Sequence, residues 1–187
     1  MELNIASIFY LFFRLSPMLV VSYYVFLSIF NSDIKGLFYL GGLFFTLILT
    51  VFASRFNMFK IDDLKSQCKS ITFGSEMFSY FPLSQSVLVY TLLYIIIVVY
   101  KYNTWNINMP TFLLLGSFII FDFIWNIRNG CSNFINMFAT WSIAGIVGFF
   151  WTITLISTGY DLVFFHGVSD ANVCKMNTNN FRCRLKK

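Results

Sequence analysis

LSQSVLVYTLLYIIIVVY, residues Leu83–Tyr100, decides the fold. Its centre, Thr91–Tyr100, carries no charged side chain, and its apolar residues run continuously instead of alternating with polar ones. A continuous run of this length reads as a helix in lipid, because a hydrocarbon core about 30 Å thick needs roughly 20 apolar residues at a helical rise. Backbone N–H and C=O groups find no water there, so a helix or a closed barrel must satisfy them. The period-two pattern that a barrel requires is not present in the sequence.

Four further stretches have the same character. They are Ile5–Phe30, which is broken by Arg14 and Pro17, then Gly36–Ala53, Met109–Ile127 and Phe134–Thr158. The sequence therefore predicts an all-α integral membrane bundle of about five transmembrane helices. It forms one domain over residues 1–158, followed by a polar basic tail over 159–187. Composition agrees. Hydrophobic residues make up 58% of the 187, charged residues only 11% and aromatics 21%, with 25 Phe. A soluble chain carries about 25% charged residues, so water is the wrong solvent for most of this one. Glu2 before the first run and Arg14 within it argue against a cleaved signal peptide and for a retained helix. No internal repeat stands out.

The net charge is +5, and five basic residues, Lys175, Arg182, Arg184, Lys186 and Lys187, cluster in the last 13 positions. Such a cluster suits acidic headgroups, nucleic acid or an acidic partner as well as plain solvation, although no specific nucleic-acid site is evident. We call side A the face that carries the N-terminus and the Arg55–Phe81 segment. Five spans then put the tail on side B. Side A loops hold Arg55, Lys60, Lys65, Lys69 and Arg128, against Lys35, Lys101 and Lys175 on side B. That balance leans toward a cytoplasmic side A.

Arg14 and Asp122 are the two charges inside spans. Their depths from side A differ by only about 6 Å at a helical rise. A lone charge in hydrocarbon costs at least about 2.5–3.5 kcal/mol, so an intramembrane ion pair is expected. The alternative has Arg14 snorkelling to headgroups while Asp122 bonds to Asn126. A proton or ion relay would need further titratable groups, and none continues from this pair. Ala144 and Gly148, with Gly145 beside them, and the Gly41–Gly42 pair mark surfaces for close helix contact. Cys174 and Cys183 are spaced for a small hairpin closed by a disulfide, which is favoured over zinc because His166 is the only histidine. Cys68 and Cys131, both on side A, are free thiols or a second bridge. Both pairs should not meet ordinary secretory oxidising conditions together. No motif of nucleophilic, metal or phosphate-cradling chemistry occurs, so no metal and no cofactor are expected.

The order of elements from Lys65 to Gly148 resembles the phosphatidic acid phosphatase type 2 superfamily. Lys65 and Lys69 precede the turn Tyr80-Phe81-Pro82-Leu83-Ser84-Gln85-Ser86, with Gln85 where that family has a histidine. Arg128, then Asn129 to Asn133, then Ala144-Gly145 follow the order of its third motif. The resemblance implies a headgroup-phosphate site formed by Lys65, Lys69, Gln85 and Arg128. It also implies no turnover, since the family's two histidines, nucleophile and general acid, are both missing. Cys131, Gly145, Gly148, Cys174 and Cys183 also resemble the pattern of multi-spanning membrane proteins of large DNA viruses. That pattern implies a component of a virion's internal membrane.

The expected function is a non-enzymatic structural subunit of a large assembly. Its partners are the bilayer and neighbouring membrane or capsid-type proteins. A lipid-phosphate phosphatase-like enzyme or headgroup binder is the alternative, and a small transporter or channel built on Arg14 and Asp122 is the third reading.

Overall fold

The computed structural model describes residues 5–30, 34–55, 72–73, 76–77, 79, 81–158, 163, 176–177 and 180–181. Five α-helices dominate: α1 Ile5–Phe30, α2 Lys35–Ser54, α3 Leu83–Tyr102, α4 Trp105–Arg128 and α5 Phe134–Ser157. Two antiparallel ladders of two residues per strand accompany them. One pairs β1 (Thr72–Phe73) with β2 (Glu76–Met77), and the other pairs β3 (Met176–Asn177) with β4 (Asn180–Phe181).

The molecule is an all-α bundle of the integral membrane type. Helices α2 to α5 are each long and apolar enough to cross a membrane. In α1 the apolar stretch of described residues is shorter, Leu15–Phe30.

Helix α3 is the axis of the bundle. Its sequence is apolar all round, the pattern of a helix buried on every side. Leu88, Tyr90, Tyr94, Ile95, Val98 and Val99 accordingly have no exposed surface. The most extensive helix contact is α3 with α5, and α1, α2 and α4 also pack on α3. The other four helices turn large apolar side chains outward, such as Phe26 and Phe30 on α1, Phe44 and Phe52 on α2, Leu113 and Ile120 on α4, and Ile135 and Phe150 on α5. Outward-facing Phe, Ile and Leu in these numbers suit hydrocarbon as the surrounding solvent.

The small residues act where the sequence placed them. Asn136, Thr140, Ala144, Gly148 and Thr152 recur every fourth position as the buried stripe of α5. A methyl group at Gly148 would come 3.3 Å from the Tyr90 carbonyl, so α3 and α5 pack with their backbones close together. Gly42 leaves room for both the Tyr90 hydroxyl and the Trp151 indole, and Trp151 Nε1 donates to Phe38 O at 3.0 Å. Helix α1 joins through Tyr24, whose ring stacks on Tyr39 at a centroid distance of 4.4 Å. The Gly36 N–H donates to Ser28 Oγ at 3.1 Å across the α1–α2 turn.

Helix ends depart from the hydropathy boundaries. The expected loop Lys101–Asn108 is almost entirely helical: α3 runs to Tyr102 and α4 begins at Trp105. Asn103 makes this tight turn by adopting φ 52°, and the Thr104 N–H closes it on Val99 O at 3.1 Å. Asparagine tolerates this left-handed conformation better than most residues. Hydropathy ends a span where polar residues begin, but backbone hydrogen bonding continues into the polar interface. Helix α4 ends in the same way at the opposite face. Gly130 takes φ 67°, and the Cys131 N–H reaches Asn126 O at 2.9 Å.

Candidate functional site

The side A half of the bundle interior is polar, and Asp122 is its centre. Asp122 and Asn126 lie one turn apart on α4, so they share a face. Both face inward and are nearly inaccessible. On α3 the turn at Pro82 starts the helix, with the Ser86 N–H bonding to Pro82 O at 3.2 Å. That start aims Ser84 and Gln85 at α4.

Three neutral donors converge on one carboxylate oxygen. Ser84 Oγ donates to Asp122 Oδ2 at 2.8 Å, Gln85 Nε2 at 2.8 Å and Asn126 Nδ2 at 3.0 Å. Gln85 Nε2 also donates to Ile119 O at 3.0 Å, and Gln85 Oε1 accepts from Trp141 Nε1 on α5 at 3.0 Å. A single amide thus ties α3 to both α4 and α5. Thr50 and Ser86 extend the polar interior toward α2 with a hydroxyl pair at 3.0 Å. Thr140 Oγ1 donates to Asn136 O at 2.7 Å within α5.

The cluster is saturated. No buried side-chain nitrogen or oxygen among the described residues lacks a hydrogen-bond partner. An unpaired carboxylate at this depth would cost at least about 2.5–3.5 kcal/mol. Each interhelical hydrogen bond returns about 0.6 kcal/mol on average and up to about 1.7 kcal/mol. Three donors on Asp122 are therefore of the right size to offset its burial. Among the described residues no group of three or more His, Cys, Asp or Glu side chains is placed to hold a metal ion.

The residues singled out from sequence divide as follows. Asp122 is buried and accepts a hydrogen bond from Asn126 Nδ2. Arg14 lies within α1 as a backbone position, but its side chain is outside the described residues, as are Lys65, Lys69, Cys68, Cys174 and Cys183. Phe12 on α1 meets Phe118 on α4 edge-on at 5.9 Å, which fixes α1 beside α4 one turn from Asp122. Gln85 is fully buried, and both ends of its amide are used inside the protein. Arg128 is exposed at the end of α4. The structure thus turns Gln85 inward, toward Asp122, and leaves Arg128 at the surface. Cys131, just beyond the α4 turn, is disulfide-bonded.

Ser84 and Trp141 are members that the sequence reading missed, and the Gln85–Asp122 bond is a connection it missed. The signal was available. Gln85 and Asp122 lie at similar depths below side A, and matching polar residues by depth is the reasoning that paired Arg14 with Asp122.

Set against protein-family models, curated proteins and solved structures, the chain matches none.

Proposed function

We propose that this protein is a structural subunit of a membrane-containing assembly and acts by packing within the bilayer. One observation carries this reading: the polar interior is spent on holding helices together. Of the groups that could bind a phosphate or pass a proton, Gln85 and Asp122 are engaged with each other and with Ser84, Asn126 and Trp141 across α3, α4 and α5. The apolar faces of α1, α2, α4 and α5 supply surface for lipid and neighbouring membrane proteins. The Arg55–Phe81 segment and the basic tail offer contacts outside the bilayer. The pattern of Cys131, Gly145, Gly148, Cys174 and Cys183 extends the reading to the internal membrane of a large DNA virus particle, beneath capsid-type proteins.

Quantitative mass spectrometry of the intact purified assembly tests this. Stoichiometric amounts of the chain are expected. Absence at that level contradicts the proposal. Reconstituting the purified chain in liposomes addresses the rival functions. No lipid-phosphate turnover and no ion flux are expected, and flux abolished by Asp122→Asn, or turnover abolished by Arg128→Ala, would replace the structural reading.

A further inference from the structure

Cys131 is held in a disulfide, and it sits in the turn between α4 and α5 at side A. Three cysteines remain as partners: Cys68, Cys174 and Cys183. Connectivity separates them. Cys68 lies midway along the segment that leaves the bundle at Arg55, the end of α2, and re-enters at Phe81, the start of α3. Both anchors are on side A. The other two cysteines follow α5, which at 24 residues is about 36 Å long and ends on side B. Val163, beyond that helix, is fully buried against the bundle core, so the chain is still tied to it there. To reach Cys131, the later chain with Asp170, Asn172 and Lys175 would have to re-cross the hydrocarbon without its backbone satisfied, which lipid does not tolerate.

The tail has its own partner geometry. The β3–β4 register pairs Met176 with Phe181 and Asn177 with Asn180. In the sequence Cys174 stands two residues before Met176 and Cys183 two residues after Phe181, so the two cysteines flank this hairpin symmetrically along the chain. With Cys131 joined to Cys68, Cys174 and Cys183 are left for each other, and a hairpin between two cysteines suits a disulfide.

We propose that the protein carries two disulfides, Cys68–Cys131 on side A and Cys174–Cys183 on side B, and is therefore oxidised on both faces of its membrane. Each bond forms as two thiols lose two protons and two electrons. The acceptor is the disulfide of a thiol–disulfide oxidoreductase, which becomes a dithiol. A cytosol normally keeps thiols reduced, so one face requires an oxidoreductase that works against that poise. The inference rests on α5 crossing the membrane, as the proposed function does.

The test uses the full chain in sealed vesicles from its native membrane. Free thiols are alkylated first, and non-reduced peptides are then mapped. Peptides joining Cys68 to Cys131 and Cys174 to Cys183 are expected, with no alkylated cysteine. A membrane-impermeant phosphine reductant should then open only one of the two bonds until the vesicles are permeabilised. Alkylated tail cysteines, or Cys131 joined to Cys174 or Cys183, would overturn the proposal. Both linkages present but both opened in sealed vesicles would overturn the two-face claim and, with it, the crossing by α5.

Discussion

Gln85 shows how much one side chain contributes to this bundle. Replacing it with Leu removes the bonds to Asp122 and Ile119 and strands the Trp141 N–H. Leaving buried polar groups unpaired costs about 1–3 kcal/mol per group. We expect Gln85→Leu to destabilise the protein by about 2–3 kcal/mol. Asp122→Asn retains an acceptor oxygen for the same donors, and about 1 kcal/mol is expected. Reversible unfolding in mixed micelles gives the order, and a larger loss for Asp122→Asn would mean that the negative charge, not the acceptor geometry, holds the cluster. The same residues show where sequence reading succeeds and where it stops. Asp122 announced itself because a carboxylate inside an apolar run must have a partner. The resemblance of the Phe81-Pro82 turn to a family motif points Gln85 toward a phosphate site. A turn motif places a residue along the chain but not around the helix, and the facing of α3 decided that Gln85 points inward.

Glycines make the corresponding point at the scale of elements. A methyl group added at Gly42 would collide with the Tyr90 hydroxyl and the Trp151 indole, whereas one added at Gly116 meets nothing within 4 Å. Gly42→Ala should therefore cost about 1–3 kcal/mol through overpacking. Gly116→Ala should be neutral or slightly stabilising, because alanine favours a helix. Paired melting curves decide it, and equal behaviour of the two variants would contradict the α2–α3–α5 packing. At Gly130 space is open and the constraint is the backbone φ of 67°. Gly130→Ala should cost about 1–2 kcal/mol in the left-handed conformation. Element boundaries were legible to within a turn for α1, α2, α3 and α5, since those runs begin and end at clear changes in hydropathy. Helix α4 began four residues early, at Trp105, because Asn103 turns the chain in a space that composition alone assigns to a longer loop.

The whole molecule is arranged by its solvent. The all-round apolar helix α3 occupies the centre. The four helices around it carry apolar faces outward and their small or polar stripes inward. That inversion of the soluble pattern was visible in the composition and in the five apolar runs. The identity of the helix at the centre was not, because uniform hydrophobicity describes a central helix and a lipid-facing one equally well. The central claim is that this bundle crosses a bilayer, with the Asn103–Thr104 turn on one face and the Asn129–Asn133 turn on the other. Single added probes, Lys101→Cys and Asn133→Cys, test it in sealed vesicles with a membrane-impermeant maleimide, using the unsubstituted chain as background. The account predicts that one probe reacts at once and the other only after permeabilisation. Immediate reaction of both, in a chain that alkaline carbonate releases from the membrane, would contradict it.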